Sequence, residues 1–159
     1  MEFNMKKSRR SLIALGSVLV LLAHNAWSAD GGATRDDATK MVKAGVAAIK
    51  AESADKIYAE ISNKEKKWIK DDLYLVVYGM DGKSLAHGAN AKQVGLDLMD
   101  RKDIDGKFFI RERVELAKSK PNGYWQEYKF TNPENKKIEP KEMYCEKLAE
   151  TIVCGGIYK

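Results

Sequence analysis

The sequence predicts an α+β domain in which a long N-terminal helix packs on a central antiparallel sheet. Apolar residues between Thr34 and Lys50 recur at the spacing of one face of an amphipathic helix. From Leu73 onward, apolar runs end in turn dipeptides such as Asp81-Gly82, which is typical of strands joined in hairpins. The order of long helix, strand hairpin, loop and helix, then three antiparallel strands predicts helices on the faces of one antiparallel sheet.

The first half of the domain divides into two helices and a hairpin. Thr34 with Asp37 three positions later predicts a capping box for the first helix. A second helix is expected after Ser53, with an apolar set of Ala54, Ile57, Tyr58 and Ile61. Residues 73–78 predict a buried strand and residues 83–87 its returning partner.

The second half contains one more helix and three strands. Residues 88–105 predict a loop with one helical turn, and the segment Gly106–Lys118 predicts a helix that Pro121-Asn122-Gly123 ends. Strands are predicted at residues 124–130, 141–148 and 151–158, with a turn over residues 132–135.

The basic charge of the chain is concentrated in its first segment. The formal charge is +5, but residues 1–28 hold four basic residues against Glu2 alone, which leaves +2 for the remainder. A nearly neutral remainder with both signs mixed does not favour nucleic-acid binding. With 44% apolar residues, the chain is expected to fold as one domain.

Residues 1–28 predict an export signal. Lys6, Lys7, Arg9 and Arg10 precede an apolar run at residues 12–23, and Ala26-Trp27-Ser28 places small residues at a cleavage site. We expect cleavage after Ser28, or after Ala29, and a periplasmic protein. Residues 29–33 predict a flexible start, and residues 34–159 are expected to form the domain. After residue 28, no segment is apolar enough to span a membrane. An uncleaved anchor is the alternative, although the apolar run is short for a spanning helix.

Cys145 and Cys154 are expected to form a disulfide in an oxidising compartment. A turn at Ala149-Glu150 places them directly opposite each other in a pair without backbone hydrogen bonds, at a separation that a disulfide accepts. Two buried thiols are the alternative, and a longer loop with the same centre is possible because Ala-Glu is a poor type I′ turn.

The sequence lacks the motifs of the common enzyme classes. It has no phosphate-binding loop, nucleophile elbow or His-Glu-x-x-His motif, and His87 is the only histidine after residue 28. We therefore expect no enzyme, no cofactor and no multi-histidine metal site. The acidic run Asp97, Asp100, Asp103 and Asp105 lacks EF-hand spacing and predicts turn and helix-cap residues.

The run DLYLVVYGMDGKSLAHG at residues 72–88 resembles the strand and turn signature of the single Cache family. Five further matches follow in order: VGLDL at 94–98, KDIDGK at 102–107, GYWQEY at 123–128 with NP at 132–133, KEMY at 141–144, and CGGIYK at 154–159. Together they extend the resemblance over residues 34–159.

This resemblance implies a PAS-like fold and extracytoplasmic sensing of a small organic ligand. Family members often bind short carboxylates such as pyruvate, acetate, propionate or lactate. Most lie between two membrane helices of a receptor, whereas this chain ends at Lys159. We therefore expect a freestanding periplasmic member that binds a ligand or serves a separate membrane sensor or receptor protein.

By analogy with the family, six residues are candidates for ligand binding. Lys141 would be the cation for a carboxylate, since a buried unpaired charge is costly. Hydrogen-bond donors and walls would come from Tyr128, Tyr144, Trp125 and His87, and Phe109, or its neighbour Phe108, would close the pocket.

Strand parity raises a difficulty for this set. Lys141 and Tyr144 are three residues apart, as are Trp125 and Tyr128, so a regular strand places the members of each pair on opposite faces. Either a bulge intervenes or one member of each pair lies outside the site.

A different class of function also fits the pattern of elements. A helix across an antiparallel sheet also describes inhibitor-like protein-interaction modules, which would have an exposed apolar patch and no small-molecule cavity.

Overall fold

Residues 32–159, together with Met1, are described in this computed structural model. The predicted signal segment and residues 29–31 lie outside the described residues. In the described part of the chain, no helix is both long enough and apolar enough to cross a membrane. Ala33, at the end of the predicted flexible start, is buried and packs against Ala38, Leu73 and Ile157.

The described residues form three α-helices and six strands, which confirms the α+β class. The helices are α1 (Arg35–Ala51), α2 (Ala54–Ser62) and α3 (Phe109–Ser119). The strands are β1 (Ile69–Lys70), β2 (Leu73–Gly79), β3 (Ser84–His87), β4 (Tyr124–Thr131), β5 (Ile138–Leu148) and β6 (Thr151–Tyr158).

All six strands belong to one antiparallel sheet with the order β1-β2-β6-β5-β4, and β3 pairs with the same edge of β2 as β1. Successive side chains of β2 point to opposite faces of the sheet, so the core has two parts, one on each face. Leu75 and Val77 point to α1 and α2, on what we term the α1 face. Tyr74, Val76 and Tyr78 point to α3, on the α3 face.

The capping box predicted for α1 is present. Thr34 Oγ1 accepts a hydrogen bond from the Asp37 backbone N–H, and the Asp37 carboxylate accepts one from the Thr34 N–H. Gly45 lies in the middle of α1, where a Cβ atom would come within 2.8 Å of Leu75 Cδ1. The glycine therefore lets the helix backbone approach the sheet closely.

The hairpin of β5 and β6 has the predicted register, and Cys145 and Cys154 form the predicted disulfide. Leu148 pairs with Thr151 and Cys145 with Cys154, whose Cα atoms are 4.2 Å apart. The turn needs only two residues because Ala149 adopts a φ of 49°.

Two element boundaries differ by three residues from the sequence-based expectation, and one short strand was not predicted. Helix α3 begins at Phe109 instead of Gly106, because Asp103 accepts backbone hydrogen bonds from Asp105 and Lys107 and holds a turn there. Strand β5 begins at Ile138, three residues early, where it pairs with the end of β4. The two-residue strand β1 is too short to leave a sequence pattern.

We expect the disulfide to contribute substantially to stability. Replacing both cysteines with alanine should lower the free energy of unfolding by about 3 kcal/mol, because the cross-link restricts the unfolded chain. Chemical denaturation measures this loss, and reduced wild-type protein should show a similar shift. An unchanged denaturation midpoint after complete reduction would contradict the prediction.

Candidate functional site

Four of the six candidate ligand-binding residues lie on the α3 face. Lys141 and Tyr128 are directly paired between β5 and β4, so both side chains point to the same face. His87 pairs with Val76 on that face, and Phe109 packs against it from the first turn of α3. The rings of Phe109 and Tyr128 are stacked with centroids 4.6 Å apart.

The other two candidates, Trp125 and Tyr144, lie on the α1 face. They pair with each other in a regular β4–β5 register without a bulge, which resolves the parity difficulty. The Arg35 guanidinium lies 3.9 Å from the Trp125 ring centroid, and Tyr144 donates a hydrogen bond to Glu146. These two residues hold α1 on the sheet and do not approach the other four.

Lys141 is a buried cation surrounded by aromatic rings. Its side chain is only 1% exposed, and Nζ lies 3.9 Å from the centroid of Tyr74 and 4.4 Å from that of Tyr158. Its hydrogen bond goes to the Tyr158 hydroxyl, at 3.2 Å, and within residues 32–159 no carboxylate lies within 4 Å of Nζ. Burial, assisted by repulsion from Arg113, holds the pKa of Lys141 well below its usual value.

Gly156 makes room for this lysine. A Cβ atom at position 156 would come within 2.7 Å of Lys141 Cε and within 2.8 Å of the Glu142 carbonyl oxygen. The adjacent strand β6 therefore carries glycine where the lysine side chain crosses it.

Arg113 is a second buried cation on the α3 face, and our sequence analysis missed it. Its side chain is completely buried, and Nε donates a hydrogen bond to Gln126 Oε1 at 3.0 Å. Both terminal nitrogens are buried without a hydrogen-bond partner among the described residues. A sequence signal did exist, because Arg113 occupies the apolar stripe of α3 between Phe109 and Ala117.

The surroundings hold Arg113 in a fixed position. Gln126 also donates to the Phe109 carbonyl and to Glu112, while Tyr124 donates to the Arg113 carbonyl at 2.7 Å. The guanidinium carbon lies 5.0 Å from the ring centroid of Tyr78. Its unpaired donors are therefore fixed in place, and an anion would satisfy them.

His87 is buried in its neutral form. Its Nδ1 atom accepts hydrogen bonds from the backbone N–H groups of Ala89 and Asn90, so we place the proton on Nε2. Burial and the charge of Lys141 lower the pKa of His87 to about 3. At neutral pH this side chain is therefore a hydrogen-bond donor through Nε2.

A cavity of about 400 Å³ lies beside His87, and neither Lys141 nor Arg113 lines it. Tyr74 and Phe130 are its aromatic walls, and its charged residues are Arg101 and Lys136. The remaining polar lining is neutral and comes from His87, Asn90, Gln93 and Thr131, so none of the lining residues in the described part of the chain is acidic. Of the six candidates only His87 lines it. Tyr74 connects the cavity to Lys141, because Lys141 Nζ packs on its ring.

The acidic run at residues 97–105 serves local structure. Asp97 and Asp103 accept backbone hydrogen bonds, while Asp100 and Asp105 pair with Arg111 and Lys129. Within residues 32–159 no group of three histidine, cysteine, aspartate or glutamate side chains is arranged to hold a metal ion.

A helix-flanked antiparallel sheet with a cation-lined cavity on one face defines a small-molecule-binding domain of the PAS-like type. The profile of the single Cache domain 2 family matches residues 11–158, and the chain belongs to this family. Cache domains are extracytoplasmic, non-enzymatic sensor modules that bind small molecules. The family resemblance of the sequence is thereby confirmed.

Solved structures of sensor domains share the fold. A Cache chemosensory domain described for carboxylic acid recognition has a TM-score of 0.66 and 20% identity, covering 77% of this chain and 91% of its own. A methyl-accepting chemotaxis protein from Vibrio parahaemolyticus has a TM-score of 0.61 and 22% identity, with 77% and 86% covered. A periplasmic sensor domain of a chemotaxis protein has a TM-score of 0.59 and 22% identity, with 77% and 88% covered. No curated protein matches the chain.

We expect His87 to make stability fall with acidification. The folded state holds the His87 pKa at about 3, while the unfolded state binds the proton near pH 6.5. The contribution of His87 to the free energy of unfolding is therefore fully present above about pH 6.5. Below that pH it falls by up to about 1.4 kcal/mol per pH unit. His87→Asn keeps an acceptor for the two backbone N–H groups but cannot titrate. Chemical denaturation from pH 7 to pH 4.5 should show a shallower decline for this variant, and parallel curves would contradict the assignment.

We also expect Lys141 to reduce the stability of the unliganded protein. Lys141→Met retains the length of the side chain without its charge and should raise the free energy of unfolding by about 1–3 kcal/mol at pH 7. In wild type, stability should increase as the pH rises toward 10, because the unfolded state binds the proton that the folded state releases. Lys50→Met, at an exposed position of α1, is the matched control and should change stability little. A destabilised Lys141→Met protein would contradict the prediction.

Proposed function

We propose that this protein is an exported, periplasmic sensor-type domain that binds a small organic carboxylate of the class of pyruvate, acetate, propionate and lactate. Residues 1–28 would direct export as a cleaved signal peptide. The domain itself would perform no catalysis and would transmit ligand occupancy to a separate membrane sensor or receptor protein.

One observation carries this proposal: among the described residues the cavity on the α3 face has cationic but no acidic lining, and the buried Lys141 packs on Tyr74, one of its walls. In the described part of the chain, neither Lys141 nor Arg113 forms an ion pair, and Arg113 leaves both terminal nitrogens unpaired. A buried charge without a partner is costly, and a bound anion would compensate that cost. An amine would find no opposing charge in the same cavity.

The candidate residues take different parts in this site. His87 would donate its Nε2–H to the carboxylate, and Lys141 would attract it from beneath Tyr74. Tyr128 and Phe109 would hold Arg113 and the floor of the site through their stacked rings. Trp125 and Tyr144, on the α1 face, have no place in this proposal.

The structural comparison supports the same ligand chemistry. One of the similar structures is a Cache chemosensory domain described for carboxylic acid recognition. Its identity to this chain is 20%, so the ligand itself has to be established by binding.

Binding of short carboxylates tests the proposal. Thermal shift and isothermal titration calorimetry on the purified protein, with its disulfide intact, should show binding of acetate, propionate, pyruvate or lactate. Binding to the folded state raises the melting temperature by mass action. Uncharged propionamide and lactamide, matched in shape, should bind at least about tenfold more weakly because they lack the charge.

Substitutions on the two faces of the sheet locate the site. Lys141→Met should weaken carboxylate binding by about tenfold, because one favourable charge is lost. Lys50→Met and Trp125→Phe should leave it unchanged. Binding of amines or purines instead of acids would overturn the ligand class, and the absence of binding to any small molecule would favour the protein-interaction module.

A further inference from the structure

A second pocket, of about 310 Å³, lies where the β4–β5 turn meets the end of β6. It shares no lining residue with the cavity beside His87. We term it the acidic pocket, because three of its lining residues carry a carboxylate. Its polar lining in the described part of the chain consists of Asp72, Asn132, Glu134, Glu139, Tyr158 and Lys159.

The three carboxylates of the acidic pocket have no cationic partner. In the described part of the chain, no basic group lies within 4 Å of any of them. Lys159 also lines the pocket, but its Nζ atom pairs with Glu127 at 3.0 Å and with Glu142. The pocket therefore carries negative charge that the described residues do not compensate.

Asp72 is the carboxylate that most clearly lacks a partner. The residue is 8% exposed, and its Oδ2 atom accepts a hydrogen bond from the Tyr158 backbone N–H at 3.2 Å. The other oxygen, Oδ1, is buried without a hydrogen-bond partner among the described residues. A buried carboxylate that is only half satisfied destabilises the fold, and a positively charged donor would offset that effect. Burial accordingly raises the pKa of Asp72.

The β4–β5 turn holds the other two carboxylates in place. Glu139 accepts hydrogen bonds from the side-chain amides of Asn132 at 2.8 Å and Asn135 at 2.7 Å, so neutral groups fix its orientation. The Glu134 backbone N–H donates to Asn132 Oδ1 at 2.9 Å, and the Glu134 side chain is exposed. The acidic lining is thus largely formed before any ligand binds, which reduces the entropic cost of binding.

An organic ammonium group suits this lining better than a metal ion. Within residues 32–159 no three histidine, cysteine, aspartate or glutamate side chains are arranged to hold a metal ion. An ammonium group instead has three N–H donors, which can reach separate carboxylates. At about 30 Å³ for each water molecule, the pocket corresponds to about ten waters, so a short alkyl chain has room beside the charge.

From this arrangement we propose that the acidic pocket binds a small primary amine in its ammonium form, with Asp72 and Glu134 as its anionic partners. The proposal does not depend on carboxylate binding in the cavity beside His87. The protein would then have two sites of opposite charge, and the β4–β5 turn contributes residues to both.

The Tyr158 backbone amide reports on this pocket, because it donates to Asp72. We expect n-butylammonium chloride, added to isotope-labelled purified protein at constant ionic strength, to shift the Tyr158 amide NMR signal in a saturable way. The amides of Ala89 and Asn90, which donate to His87 beside the cavity, should not move. Butan-1-ol has no charge and should give no saturable shift. Tetramethylammonium has no N–H group and should bind at least about fivefold more weakly.

Three substitutions locate the amine. Asp72→Asn removes the charge, keeps an acceptor for the Tyr158 N–H and should weaken n-butylammonium binding by about tenfold or more. Glu134→Gln, at an exposed position, should weaken it by about two- to fivefold, and it decides the question if Asp72→Asn does not fold. Asp55→Asn, at an exposed position of α2 outside the pocket, is the matched control and should leave the affinity unchanged.

The outcomes separate this proposal from the function proposed for the cavity. An immobile Tyr158 amide, equal binding of tetramethylammonium, or an affinity that neither the Asp72 nor the Glu134 substitution changes would overturn the acidic pocket as an amine site. Shifts of Ala89 and Asn90 with n-butylammonium would place the amine in the cavity and overturn both proposals. Acetate, titrated into the same sample, should move these two amides and leave n-butylammonium binding unchanged.

Discussion

The register of the β5–β6 hairpin is the constraint on which the rest of the structure depends. Two features fix this register: the two-residue turn at Ala149 and, four pairs of residues into the strands, the disulfide between Cys145 and Cys154. Because side chains alternate along a strand, the register assigns every residue of β5 to one face of the sheet. A slip by one residue would carry Lys141 from the buried α3 face to the side that packs against α1. The cross-link therefore keeps Lys141 on the α3 face, in addition to stabilising the fold.

Two buried positive charges on the α3 face destabilise the fold, and a core with a purely structural role would lack them. Lys141 and Arg113 are both buried on this face, and their charges repel each other. Aromatic rings reduce this destabilisation because their faces attract cations, and Tyr74, Tyr78 and Tyr158 supply such faces. The opposite face packs aliphatic and aromatic side chains, and ion pairs such as that of Arg35 with Glu142 lie at its rim. The sheet thus separates a stabilising side from a side that is suited to an anionic ligand.

Much of the fold followed from local patterns. The capping box at Thr34, the apolar stripe of α1 and the centre of the cysteine hairpin were predicted because short-range spacing decides each of them. The start of α3 was placed wrongly, because the side chain of Asp103 competes for the backbone N–H groups of the preceding turn. Arg113 was missed because a charged residue in an apolar stripe is read as a surface position when its partners are distant in sequence.

The sequence alone determined the α+β class, the family and the pairing of the cysteines, since each rests on periodicity, turn chemistry or ordered motifs within short segments. Strand alternation also showed that the six candidate residues could not all share one face of a regular sheet. Only the tertiary structure decided which residues meet. Arg113 from α3, His87 from β3, Lys141 from β5 and Arg101 from a loop come together through long-range packing, which no local pattern encodes. Burial then sets the protonation of His87 and Lys141, because desolvation depends on every element packed around them.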